Sequence, residues 1–252
     1  PMKKKAKKQL KFGLIGRNIS YSFSKKYFNE KFEIGHFDNC EYKNYDIENI
    51  KEFPKIISEI KGLRGLNVTI PYKEHIIPFL DALSEEAEVI GAVNCVSFQN
   101  GKKTGYNTDA FGFHQMIKPF LSNEHERAMI LGTGGASKAV AYVLKKIGLD
   151  VIWISRNPGK EKEFSYEAIN EHMLKACKVV VNCTPIGTFP DVDACVPFPF
   201  EHLTEAHLCI DLIYNPEETR FLRQSKEHGA TTMNGLSMLK EQANKAWEIW
   251  NS

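Results

Sequence analysis

Residues 132–137 read Gly132-Thr133-Gly134-Gly135-Ala136-Ser137, small enough for a backbone to turn sharply and bring its N–H groups against a phosphate. They follow the apolar run Arg127–Leu131 and open a helical pattern over residues 136–147. That order of strand, glycines and helix, more than the glycines themselves, points to a dinucleotide pyrophosphate at a helix N-terminus. A tight turn without a ligand is the alternative. The next strand pattern, residues 150–155, closes on Ser155-Arg156-Asn157, with Lys160 close behind and no acid among them. A carboxylate there would hold an NAD ribose and repel a 2′-phosphate, whereas a guanidinium binds phosphate through charge-assisted hydrogen bonds. The segment therefore favours NADP, unless Arg156 only decorates a solvated loop.

Four further segments carry polar groups that packing does not demand. Asn67, Thr69 and Lys73 stand at the end of a strand pattern and in the turn after it, and alternation sends Asn67 and Thr69 to the same side. Gly91-Ala92-Val93-Asn94 brings an amide onto another strand, and Gly105-Tyr106-Asn107-Thr108-Asp109 puts an acid at a helix start. Ser20-Tyr21-Ser22-Phe23-Ser24 follows a strand and a glycine. Each has a plain structural role open to it: Thr108 or Asp109 as a helix cap, the serines as loop residues, Lys73 as a surface lysine. As a set they are hard to assign to accident.

The elements that must position these groups alternate along the chain. Strands are expected at residues 11–16, 40–45, 63–70 (stopped by Pro71), 92–98, 127–131, 150–155, 178–182 and 208–213. Helices are expected around residues 25–32, after a cap at Asp46 with Ile50, Phe53, Ile57 and Ile60 on one side, at 84–90, at 136–147 and at 236–250. Pro54 sits awkwardly in the second of these. Asn100-Gly101 reads as a turn. Strands alternating with helices imply an α/β fold with parallel sheets.

Composition narrows the class. With 42% hydrophobic and 25% charged residues the 252-residue chain reads as globular, and a net charge of +2 by itself implies neither nucleic acid nor membrane as a partner. The basic run Lys3, Lys4, Lys5, Lys7 and Lys8 reads as a solvated terminus rather than an arm for RNA or lipid, and Pro1 before Met2 is set aside. Cys40, Cys95, Cys177, Cys183, Cys195 and Cys209 lack the spacing of a metal site or redox pair and read as reduced thiols. With no secretory pattern and no apolar run long enough to span a bilayer, the expected location is the cytoplasm.

In order, Ser22/Ser24, NVTIPYK at 67–73, GAVN at 91–94, GYNTD at 105–109, GTGGAS at 132–137, NCTPIG at 182–187, DLIYNP at 211–216 and NGLSMLKEQA at 234–243 span nearly the whole chain. In these motifs the chain resembles the shikimate/quinate dehydrogenase family. The resemblance implies NADP as cofactor and a reversible hydride transfer at C3 of the shikimate/3-dehydroshikimate pair, a step toward chorismate and the aromatic amino acids. It implies that Lys73 and Asp109 are the catalytic pair and that Ser22 and Ser24 receive the substrate carboxylate. Thr69, Asn94 and Gln242 would meet the ring hydroxyls, with Asn67 beside them in the substrate site and Tyr214 between the substrate and cofactor sites. Gly132, Thr133, Gly134, Gly135, Ala136 and Ser137 would form the pyrophosphate loop, Ser155 and Arg156 would face the adenosine phosphate, and Thr184 and Gly235 would lie near the nicotinamide. No metal is implied. The chain departs from the family at Lys25, where proline is usual, at Ser155 and Asn157 beside Arg156, and at Cys183 and Pro185.

Ketone reduction needs a positioned hydride donor, a group that stabilises the oxygen as it gains charge, and a proton source. A lysine ammonium supplies the last two; a nearby Asp109 favours its charged form and burial opposes it, so its protonation state stays open. A hydroxyl-rich ligand accounts for the Ser, Thr, Asn and Gln of the set, because each hydroxyl needs a partner. The implied architecture is a substrate domain at 1–106, a Rossmann-type dinucleotide-binding domain at 107–232, and a terminal helix at 233–252 returning to the first, with the site in the cleft between domains and closure over NADP(H). Monomer and homodimer both remain open. The competing readings are an NAD-preferring quinate enzyme, a non-catalytic regulator on the same fold, and an unrelated Rossmann oxidoreductase such as a methylene-folate dehydrogenase. The last leaves Ser22, Ser24 and Gln242 without a role.

Overall fold

The computed structural model describes residues 8–20 and 22–252. They form two compact units: residues up to Thr108 together with Ala243–Ser252, and Asp109–Gln242. Lys3, Lys4, Lys5 and Lys7 lie outside the described residues, and Lys8 is exposed.

The first unit contains β1 (Leu10–Gly16), α1 (Phe23–Ile34), β2 (Cys40–Asp46), α2 (Phe53–Glu59), β3 (Leu63–Val68), β4 (Ala82–Leu83), α3 (Glu85–Ile90), β5 (Cys95–Gln99) and β6 (Lys102–Tyr106). Its sheet runs β2-β1-β3-β5-β6-β4. The first three strands are parallel, but β5 is antiparallel to both β3 and β6. This corrects the expectation of parallel sheets throughout. Asn100 and Gly101 both take positive φ (52° and 73°), the two-residue turn that joins antiparallel neighbours.

Asp46 does not cap a helix. It ends β2, and its carboxylate accepts from the backbone N–H groups of Asn18 (2.9 Å) and Ile19 (3.3 Å), fixing the loop that leads to α1. The cap is Asn49, which forms a reciprocal box with Glu52 around a single 3-10 turn ahead of α2. Pro54 then falls in the first turn of α2, where its missing N–H has no intrahelical partner to lose. β3 ends at Val68 rather than at residue 70, and a turn containing the cis Ile70–Pro71 bond follows.

The second unit continues with α4 (Thr108–Ile117), β7 (Arg127–Leu131), α5 (Gly135–Lys146), β8 (Asp150–Ile154), β9 (Glu163–Phe164), α6 (Glu171–Ala176), β10 (Val179–Asn182), β11 (Leu208–Asp211), α7 (Arg220–Glu227), β12 (Thr231–Met233) and α8 (Leu236–Asn251). All six strands are parallel in the order β12-β11-β10-β7-β8-β9. This is the doubly wound arrangement, whose order reverses between β7 and β10; ligands bind such sheets beyond the strand ends at that switch. β7, β10 and β11 are buried along nearly their whole length, which is why they read as unbroken apolar runs.

The division between units falls inside α8. Its first part packs on α4, where a Cβ on Gly112 would stand 2.5 Å from the Met238 carbonyl oxygen. Its last part completes the core of the first unit: Trp250 donates from Nε1 to the Val96 carbonyl (3.0 Å) and packs at a tilt against Phe12 and Phe28. Among the described residues no helix is long and apolar enough to cross a membrane, and no group of three or more His, Cys, Asp or Glu side chains could hold a metal ion.

Candidate active site

In the first unit the polar groups singled out from the sequence converge on the C-terminal ends of β1 and β3. Ser22 is the N-cap of α1, its Oγ accepting from the Lys25 N–H at 3.4 Å. A proline at position 25 could not make this bond. Capping uses a lone pair of Ser22 and not its proton, so the hydroxyl can still donate to an anion at the helix N-terminus. Ser24 lies buried in the first turn of α1, where its hydroxyl tempers the rise that burial imposes on the Tyr42 phenol.

Tyr42 was not legible as a site residue. It is 1% exposed on β2 and stacked on Phe28, and it donates to Asn67 Oδ1 at 2.8 Å. Burial holds its phenol well above the usual tyrosine range. Asn67 in turn donates to the Asn94 carbonyl oxygen at 3.4 Å. Asn67 is thus hydrogen-bonded inside the protein on both ends of its amide. Thr69, next but one, is half-buried just past the strand end. Tyr42→Phe strips the donor from a buried amide oxygen and is expected to lower unfolding free energy by about 1–3 kcal/mol. A urea titration that shows no loss would refute this.

Lys73 is half-buried in the turn after β3, with its carbonyl oxygen accepting from the Val93 N–H at 2.7 Å. Its neighbour Tyr72 donates to the Ile47 carbonyl at 2.6 Å, so the segment is held from both sides. Asn94 stands just before β5 rather than on it, because the ladder with β3 begins at Cys95. Its side chain binds the start of α4: Oδ1 accepts from the Thr108 N–H (2.6 Å) and Nδ2 donates to Thr108 Oγ1 (2.9 Å). Asn107 donates to the Ala92 carbonyl at 3.0 Å. These bonds fix the residues before Asp109, which is buried in the first turn of α4, where the helix dipole favours an acid.

In the second unit, Gln242 is buried on α8 and donates to the Leu239 carbonyl at 2.9 Å. Gly112, one turn along α4 from Asp109, also meets the Gln242 backbone, so the two helices cross closely here.

Gly132 leaves β7 with φ +99°, a left-handed conformation that only glycine adopts without strain, and Thr184 packs over it. Thr133 and Gly134 are exposed, Gly135 and Ala136 half-exposed, and Gly134 is the N-cap of α5 with open space around it. This leaves backbone donors at a helix N-terminus accessible to a pyrophosphate. Ser137 is fully buried, and its hydroxyl donates back to the Gly134 carbonyl oxygen, so it shapes the turn. After β8, Ser155 Oγ accepts from the Asn157 N–H (3.2 Å) and Arg156 is exposed. Further along, Glu163 accepts from the N–H groups of Gly159 (2.8 Å) and Lys160 (3.0 Å), which hold its carboxyl below the usual range. Tyr166, whose phenol burial pushes up to about 12, feels the Arg156 charge.

Thr184 donates to Asn182 Oδ1 at 2.7 Å; Tyr214 is half-buried in the loop after β11; and Gly235 is buried against that loop, its N–H bonded to the Ile213 carbonyl at 3.1 Å. A Cβ on Gly235 would collide with the Leu212 carbonyl. All three stand beyond the C-terminal ends of β10, β11 and β12.

Residues 14–96 match the family model described as the shikimate dehydrogenase substrate binding domain. The chain is 36% identical to the shikimate dehydrogenase (NADP(+)) of Methanosphaera stadtmanae over 96% of its own length and 92% of that protein. It is 38% identical to the one from Aquifex aeolicus, over 95% of this chain and 90% of that protein. Among solved structures, the Thermus thermophilus shikimate 5-dehydrogenase in complex with NADP(H) and shikimate superposes with a TM-score of 0.84 at 32% identity, covering 96% of this chain and 93% of that one. With relatives matching across both α/β units, the chain belongs to the shikimate dehydrogenase family.

Proposed function

We propose that the protein is an NADP-dependent shikimate dehydrogenase, reducing 3-dehydroshikimate to shikimate reversibly in the route to chorismate. One observation carries the reading. The chain joins an open phosphate-accepting turn, at the switch point of a doubly wound sheet, to a second α/β unit rich in hydroxyl-matching groups. The donor set fits NADP: exposed backbone N–H groups at Thr133 and Gly134 for the pyrophosphate, and an exposed Arg156 for the 2′-phosphate.

When bound, NADPH supplies the hydride. Lys73 donates to the C3 oxygen as it gains negative charge, and Asp109 exchanges the proton of the resulting hydroxyl. Ser22 and Ser24 receive the carboxylate. Asn67, Thr69, Asn94 and Gln242 take the ring hydroxyls, so that an analogue lacking one leaves a buried polar group without its partner. Thr184, Tyr214 and Gly235 shape the nicotinamide side. The working location is the cytoplasm, whose reducing conditions suit six cysteines that form no disulfide. The protein acts as a monomer or homodimer on small-molecule substrates, with no nucleic-acid or membrane partner.

Initial rates with shikimate and NADP at alkaline pH test the reading, with quinate and NAD in parallel. Fast reduction of NADP with shikimate is the expected result. Preference for quinate with NAD would move the assignment to the neighbouring activity, and no turnover with either would leave a ligand-binding regulator.

A further inference from the structure

The second unit contains one fully buried carboxylate to which the reaction gives no role. Asp211 ends β11 at 0% exposure. Its Oδ1 accepts from the Ile213 N–H (3.1 Å) and from Asn182 Nδ2 (3.2 Å), and its Oδ2 accepts from Thr219 Oγ1 (2.6 Å). Ile213 and Thr219 stand at opposite ends of the loop that carries Tyr214, so a single carboxylate closes that loop. Asn182 ends β10, and its other amide atom, Oδ1, accepts from both the N–H (3.1 Å) and the hydroxyl of Thr184. Gly235 is bonded to Ile213 of the same loop. Three residues assigned to the nicotinamide side therefore hang from one acid.

We propose that Asp211 is a positioning residue for the reaction: its ionised carboxylate closes the Tyr214 loop and, through Asn182, sets the Thr184 turn. The proposal rests on the placement of Thr184, Tyr214 and Gly235 at the nicotinamide.

Only an acceptor without a proton serves all three donors. Thr219 Oγ1 already accepts from the Leu222 N–H as the cap of α7, so its own proton must go to Asp211. A proton on Oδ2 would face that hydroxyl proton and push the loop off its anchor. Asparagine has the same fault, since its NH₂ would sit where Oδ2 accepts. The charge of Asp211 raises the thiol of Cys195, on the 183–199 segment, and that thiol also feels Arg220 and Arg223 of α7. Burial outweighs the three hydrogen bonds and raises the Asp211 carboxyl to about 6. Because the ionised form is the working one, turnover falls as pH drops through that value.

The test compares wild type with Asp211→Asn in shikimate oxidation from pH 5 to 9, with thermal melts to establish folding and NADP titrations alongside. A loop shifted by about 1 Å lowers kcat about 100-fold. The folded variant is expected to show that loss at every pH and to lack the acid limb near 6. Wild-type turnover, or a retained limb, in the folded variant overturns the proposal. Should Asp211→Asn fail to fold, Thr219→Val removes one donor and moves the limb to higher pH, while Thr219→Ser restores it; an unmoved limb in Thr219→Val overturns the proposal. A wild type inactive on shikimate with NADP would instead overturn the functional reading.

Discussion

Lys73→Ala is expected to lower kcat for shikimate oxidation by about 10²–10⁴-fold, the range for losing a positioned proton donor. Its effect on NADP affinity should stay within about twofold, as for sites that share no partners. Lys73 and the Gly132–Ser137 turn belong to different units. The backbone around Lys73 is secured independently of its ammonium group, through the Val93 N–H and the Tyr72 phenol, so truncation should leave the segment in place. Steady-state rates with a fluorescence titration of NADPH separate the two quantities. A variant turning over at near wild-type rate would remove Lys73 from the chemistry.

Arg156→Ala should raise KM for NADP by about 10–100-fold, corresponding to about 1.5–3 kcal/mol for hydrogen bonds to a charged group. KM for NAD should hardly change, so preference shifts toward NAD. The β8–β9 connection keeps its shape without the guanidinium, because Glu163 closes it through the Gly159 and Lys160 N–H groups and Ser155 through the Asn157 N–H. Equal losses with both cofactors would mean that Arg156 supports the loop and does not read the phosphate.

The features legible from the amino-acid order are those fixed by local chemistry. Gly132 needs φ +99° where a buried strand meets a helix, and no other residue type serves there without strain. Asn100-Gly101 specifies its turn for the same reason. Strand pairing in the first sheet was not legible, because whether β5 lies parallel or antiparallel to β3 depends on partners far along the chain. β4, β9 and β12, two or three residues each, are too short to show any period. The start of α2 was misplaced at Asp46 because an acid before an apolar period looks like a cap, while this acid serves the 18–19 backbone across the sheet edge.

In the candidate site, the residues proposed to touch ligands stand out through their motifs, and those that hold them do not. Tyr42 reads as one aromatic among several, and only folding brings its hydroxyl to Asn67. Asp211 and Asn182 sit at the edges of apolar runs, where a polar residue marks a strand end whatever else it does. Second partners of this kind leave no spacing signature, because their contacts run between strands and not along one.

The passage of α8 from one unit into the other has a bearing on biosynthesis. Trp250 fills the core beside Phe12 and Phe28, and its carbonyl oxygen accepts from Arg64 Nε at 2.8 Å. During vectorial synthesis the unit that emerges first from the ribosome must therefore wait, its apolar interior unsealed, until the whole of Asp109–Gln242 has been made. The later-translated unit is the one able to mature first.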